Sequence, residues 1–182
     1  MPIPTIYYIR HGETAWNAAG RFQGSQDIPL NDLGREQAAH AGEILVDLFA
    51  VLVADIEFGG GELQLPPDGF ALDDRLREIG YGHWEGSTLQ QQQESHPEIF
   101  ATRQIDKWGV PPPGGESYAS VTLRMRDWCE SLKSDTVAVA HGGTARALMV
   151  ALDVATPATA ADLTIEQGAV YVFRDGKIAK YS

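Results

Sequence analysis

The sequence predicts an α/β domain with a largely parallel sheet covered by helices on both faces. Short apolar runs that read as strands alternate with longer segments whose apolar residues recur at helical spacing. Two of those runs, Ile6-Tyr7-Tyr8-Ile9 and Val137-Ala138-Val139-Ala140, lead into a histidine followed by glycine: Arg10-His11-Gly12 and His141-Gly142-Gly143. In open α/β sheets, sites form beyond the carboxyl ends of strands, and both histidines fall at such ends. At 182 residues the chain is long enough for one domain with a real core, and no internal repeat or linker divides it.

The elements follow in order. The first strand runs from Thr5 to Arg10. Residues 15–31 read as a loop punctuated by Gly20, Gly24 and Pro29. A helix follows, capped by Asn31 or Asp32, with Leu33, Ala41, Ile44, Leu45, Leu48 and Phe49 mostly on one face and His40 pointing to solvent. Residues 51–72 resist a simple reading. Val51-Leu52-Val53 fits a helix end or a strand start, Gly59-Gly60-Gly61 breaks what precedes it, and Pro66-Pro67-Asp68-Gly69 is a turn signal. Ser87-Thr88-Leu89-Gln90 has capping-box spacing and opens a short helix ending near Pro97, with Gln90–Gln93 as a solvated face. Trp108–Gly115 is a Pro/Gly-rich loop. A helix over about 117–133 carries the stripe Val121, Met125, Trp128, Cys129 and Leu132, which marks Cys129 as a core residue rather than a nucleophile. Another helix spans about Thr144 to Leu152. The end reads as a hairpin: Ala169–Phe173, a turn at Asp175-Gly176, then Ile178 onward.

Bulk properties exclude several function classes. The formal charge is −11 and the pI about 4.7, which argues against nucleic-acid binding, since that needs a basic face. An anionic ligand would need a local cationic pocket in this acidic body. Apolar residues make up 43% without a run of membrane-spanning length, and no basic or apolar leader precedes the first strand, so the expectation is a soluble chain with neither membrane span nor signal peptide. A single cysteine, Cys129, cannot form an internal disulfide and fits a reducing, cytoplasmic compartment. Asp73-Asp74 lacks companions at metal-ligand spacing, and Gly59-Gly60-Gly61 lacks the lysine of a P-loop. No metal or cofactor is implied.

The two histidines with an adjacent arginine suit phosphoryl chemistry. A neutral imidazole such as His11 can attack phosphorus and divide a hydrolysis into two easier displacements. Hydrogen bonding within the Gly12 turn would fix its tautomer. Arg10 offers a bidentate fork to the phosphoryl oxygens, and His141, Asn17 and glycine-turn amides offer further donors. Each such preorganised donor is typically worth about 3–4 kcal/mol of barrier lowering. The leaving oxygen needs a proton from a carboxylic acid, for which Glu13 and Glu78 are both candidates. His83 and His96 read as surface residues.

Taken together, RHGETAWN at 10–17, GRFQG at 20–24, D-x-PL at 27–30, LGREQA at 33–38, DRLREIGYGHWEG at 74–86, PGGES at 113–117 and AHGGTARAL at 140–148 resemble the histidine phosphatase superfamily, also called phosphoglycerate mutase-like. The resemblance covers most of the chain. It implies a three-layer α/β/α domain over residues 1–182 and a metal-free phosphohistidine mechanism on small phosphorylated substrates. It implies His11 as nucleophile, Arg10 and His141 as phosphate ligands, Asn17 and Gln23 as pocket residues, Gly142 as an amide donor and Glu78 as the proton donor. One segment departs from the pattern. The family usually carries a Ser-Ser-Pro-x-x-Arg-Ala-x-x-Thr stretch before the RLREI motif, whereas residues 51–72 contain no arginine and are shortened. A lost phosphate ligand would cost about 10²–10³ in rate, and a lost helix would bare apolar surface that could pair with another subunit. Arg21, Arg75 and Arg77 are candidate substitutes. The reading is therefore a phosphate-monoester phosphatase. A phosphate-ester-binding protein with weak or no turnover and a phosphoglycerate mutase are the alternatives.

Overall fold

A computed structural model describes residues 3–52 and 71–182. The segment 53–70, on which most of the shortened stretch falls, lies outside the described residues. Strand β1 (Ile6–Arg10) leads through a short helix α1 (Ala15–Ala18) into the long helix α2 (Asp32–Leu52). Helices α3 (Leu89–Ser95), α4 (Pro97–Ile105) and α5 (Tyr118–Ser131) precede β2 (Thr136–Ala140). Helix α6 (Gly142–Ala151), the single turn α7 (Pro157–Ala160) and the hairpin β3 (Val170–Arg174) and β4 (Lys177–Tyr181) complete the chain.

Among the described residues the sheet has four strands in the order β2-β1-β3-β4. Only β1 and β2 are parallel; β1/β3 and β3/β4 are antiparallel. The expected largely parallel sheet is corrected to a mixed one. The reason lies in residues 152–169. After α6 has carried the chain back from the carboxyl edge of β2, this stretch forms only the turn α7 and irregular chain, and it enters β3 beside Ile9 and Arg10. A strand that starts at the carboxyl edge of β1 must run against it. The Asp175-Gly176 turn then folds β4 back, both residues having positive φ (51° and 68°) as a type I′ hairpin requires.

Alternation along β1 divides the core. Ile6 and Tyr8 face α5 and α6, joining Val121, Met125, Trp128 and Leu148. Tyr7 and Ile9 face α2, joining Ala41 and Leu45. Helices thus cover both faces. Cys129 lies within the first cluster, and burial pushes its thiol up to about 12, so it is a core residue. On β2, the outer strand among the described residues, Val137 and Val139 are 41% and 63% exposed. His40 is exposed, beside Glu43.

Three local expectations shift. The loop after β1 contains α1, capped by Thr14 and Asn17 in a capping box. The second capping box pairs Thr88 with Gln91, one residue later than its expected start. Helix α3 ends at Ser95, near Pro97 as expected, and Pro97 itself opens α4 at the first helical position, where its missing N–H costs no intrahelical bond. Of the glutamine run, Gln92 is buried rather than solvated.

Candidate active site

The β1/β2 register sets Arg10 opposite Ala140, so His11 and His141 emerge side by side at the carboxyl edge of the sheet. The His11 amide donates to the Ala140 carbonyl at 2.9 Å. The two imidazoles lie 4.9 Å apart, centroid to centroid, at an interplanar angle of 66°. Helix α6 starts directly after His141. Its first amides lack intrahelical acceptors and carry the positive end of the helix dipole.

His11 Nδ1 lies 2.7 Å from the carbonyl oxygen of Gly12. A carbonyl can only accept, so Nδ1 carries the proton and Nε2 keeps its lone pair. Burial and the neighbouring Arg10 charge lower the pKa of His11 below the ordinary value, against the raising effects of the Gly12 bond and Glu78. Burial also lowers that of His141, which Glu78 partly offsets. Both rings are therefore held toward the neutral form. The turn that shapes His11 is fixed by close packing: a Cβ on Gly12 would fall 2.0 Å from the carbonyl oxygen of Gly34, at the start of α2.

Arg10 donates through Nη1 to the Ile165 carbonyl at 2.8 Å. Its Nε is buried without a protein partner, 3.5 Å from where a Cβ of Gly142 would stand. That is an unpaired donor beside the helix start. Glu78 reaches the same place from the segment before α3. Its Oε1 accepts from the Ile79 amide at 2.9 Å and its Oε2 from the Gly143 amide at 3.2 Å. Arg124 braces the segment, donating to the carbonyls of Arg75 and Glu78 and pairing with Glu116 at 3.2 Å. Glu13 instead accepts from Asn31 Nδ2 at 2.8 Å, on the α2 side. Of the two candidate carboxyl groups, Glu78 is the one the fold brings to the histidine pair.

Asn17 and Gln23 are tied into the cap of α1. Asn17 Oδ1 accepts from the Thr14 amide at 3.2 Å and from Gln167 Nε2 at 3.1 Å. Gln23 accepts from Thr14 Oγ1 at 2.9 Å and donates to the Gln26 carbonyl at 3.1 Å. None of the three arginines considered as substitutes stands free. Arg21 donates to the Gly86 carbonyl, Arg75 pairs with Asp73 at 2.6 Å and Asp127 at 2.7 Å, and Arg77 lies exposed beside Asp74. Tyr81 and Trp84 are buried in the core at 8% and 2% exposure.

Two positioning residues escape the sequence reading. Tyr8 Oη bonds the His141 carbonyl and Thr144 Oγ1, both at 2.7 Å, and receives the His141 amide at 3.1 Å. Tyr8 is 0% exposed and counts as apolar in any periodicity, so only the fold reveals its polar end. Thr144 accepts from the same amide at 3.2 Å.

The sequence profile of the histidine phosphatase superfamily (branch 1) matches residues 6–54 and 64–177. The chain belongs to this superfamily. The break in the match falls inside the shortened segment. The chain is 34% identical over 173 residues to a glucosyl-3-phosphoglycerate phosphatase of Mycolicibacterium vanbaalenii, covering 84% of this chain and 75% of that protein. It is 29% identical over 194 residues to a 2,3-bisphosphoglycerate-dependent phosphoglycerate mutase of Methylocella silvestris, covering 93% and 91%. Its fold is similar to that of a mycobacterial glucosyl-3-phosphoglycerate phosphatase in complex with VO3, with a TM-score of 0.71 and 27% identity over 98% of this chain and 96% of that one.

Proposed function

We propose that the protein hydrolyses small phosphate monoesters through a phosphohistidine on Nε2 of His11. The observation that carries this is the histidine pair: two rings 4.9 Å apart, one with its proton fixed on Nδ1 by the Gly12 carbonyl. In the first step the Nε2 lone pair attacks phosphorus opposite the ester oxygen. The phosphorus–oxygen bond breaks as the Glu78 carboxyl group gives its proton to the departing alkoxide. Arg10, one N–H of His141, the Gly142 amide and the Asn17 and Gln23 amides serve the equatorial oxygens. In the second step the Glu78 carboxylate takes a proton from water, whose oxygen attacks phosphorus. Phosphate leaves and His11 is restored.

The 34% identical phosphatase supports hydrolysis, while the mutase relative supports a transfer reading. A mutase must shield its phosphorylated intermediate from water, and a chain shortened at 51–72 favours net hydrolysis. The reading treats residues 1–182 as one catalytic domain of three layers, acting in a reducing cytoplasm. The test is brief exposure to a labelled phosphate ester. Acid-labile, base-stable label should appear on His11, and His11→Ala should remove both label and turnover. Full turnover in that variant would refute the proposal. Tight ester binding without phosphate release would favour the non-hydrolysing alternative.

A further inference from the structure

In a chain with 14 lysines and arginines against 25 acidic residues, neither Arg10 nor Arg146 has a carboxylate oxygen within 4.0 Å among the described residues. Both are half-buried. Both are pinned by backbone carbonyls of one segment. Arg10 Nη1 donates to Ile165 and Arg146 Nε to Leu163, each at 2.8 Å. Lys107 Nζ continues the row, donating to the Ala161 carbonyl at 2.6 Å and reaching Asp162 at 3.4 Å. Three cations from β1, α6 and the turn after α4 thus attach at alternate residues, 161, 163 and 165.

A carbonyl positions a cation without neutralising it. Like charges gathered in a partly desolvated place repel one another, and Arg146 and Arg10 are near enough for each other's charge to be felt. An anion between them would relieve that repulsion. Leu163 and Ile165 are two residues apart, so their carbonyls are separated by at most about 7 Å, and Arg146 is anchored one short spacer away from the arginine proposed to hold the reacting phosphoryl group. Arg146 Nη1 donates to Tyr118 Oη at 3.2 Å, with Trp108 stacked on the Tyr118 ring. The Nη2 group of Arg146 makes no bond to protein among the described residues.

We propose that Arg146, with Lys107 beside it, is a second anion subsite that takes a carboxylate or phosphate on the leaving-group part of the substrate. The preferred substrates then carry a second negative charge, separated from the reacting phosphoryl group by a short aliphatic spacer. This rests on the phosphatase reading and deepens it.

The test is calorimetric binding to the His11→Ala protein, which cannot turn the ligands over through His11. Two matched pairs separate the sources of the second charge: 3-phosphoglycerate against glycerol 3-phosphate for a carboxylate, and 1,3-propanediol bisphosphate against its monophosphate for a phosphate. At least one doubly anionic ligand should bind roughly 10–100-fold tighter than its partner, the range of a charge-assisted contact. Arg146→Gln should abolish that preference and Arg146→Lys should restore part of it. Lys107→Gln, at a more exposed side chain, should reduce the preference without abolishing it and covers the case in which Arg146→Gln does not fold. Equal affinities within both pairs, or a preference that survives Arg146→Gln, would overturn the subsite. Folded protein that binds none of the four ligands would overturn the phosphate pocket itself, and the subsite with it.

Discussion

Gly143→Ala separates the proposed role of Glu78 from the stability of the fold. By helix propensity alone the change should stabilise α6 by at most about 1 kcal/mol. The structure says otherwise. The new Cβ would fall 2.4 Å from Glu78 Oε1 and 2.6 Å from Ile79 Cγ2. The carboxylate is the far end of a flexible side chain and can swing away. Ile79 is 0% exposed and cannot. Overpacking of that kind costs about 1–3 kcal/mol. Net destabilisation should therefore be about 0–2 kcal/mol, small enough for the variant to be purified and assayed. Its main effect should be chemical, since Glu78 would be evicted from the Gly143 amide. General acid catalysis is typically worth about 10²–10⁴ in rate. Alkyl phosphates, whose alkoxide needs a proton, should lose about that much in kcat/KM. With p-nitrophenyl phosphate, whose leaving group departs without protonation, the loss should stay within about tenfold. Wild-type rates on alkyl phosphates, or an equal loss on both substrates, would refute the placement of Glu78 as the acid.

Three further outcomes follow from the site. Tyr8→Phe removes the hydroxyl that links the His141 carbonyl, its amide and Thr144, and should cost about 1–2 kcal/mol in urea unfolding together with a measurable loss of kcat. Gly12→Ala sets a Cβ 2.0 Å from a backbone oxygen that no rotamer change can move; it should cost about 3 kcal/mol or more, and a soluble variant of wild-type stability would contradict the packing of α2 on the His11 turn. The half-buried histidines His11 and His141 make stability pH-dependent. Their pKa values are lowered in the fold, so the unfolded chain binds more protons once pH falls below the ordinary value of 6.5. Stability should be full above that pH and decline as pH falls through the lowered values, and kcat/KM should fall over the same window as Nε2 of His11 is protonated.

The parts legible in the sequence are those fixed locally. Arg10-His11-Gly12 and His141-Gly142 each follow an apolar strand, so their position at strand ends could be read directly. The stripe on α5 and the Asp175-Gly176 hairpin were legible for the same reason, one from helical period and the other from residues that tolerate positive φ. What was hidden depends on contacts distant in sequence. The direction of β3 is set by where residues 152–169 deliver the chain, which no local pattern encodes. Tyr8 lies inside an apolar run, and its hydroxyl acquires meaning only beside a residue |i−j| = 133 away. Arg146 is recognisable only through a carbonyl seventeen positions on. α1 spans a single turn, too short for periodicity to register.

The most direct measurement is a crystal structure with vanadate, which takes the five-coordinate geometry of phosphoryl transfer. The account predicts vanadium bonded to Nε2 of His11, with Arg10 Nε and a ring nitrogen of His141 on its equatorial oxygens and Glu78 at the apical oxygen. Vanadate bound elsewhere, or bonded to another side chain while His11 Nε2 stays free, would contradict it.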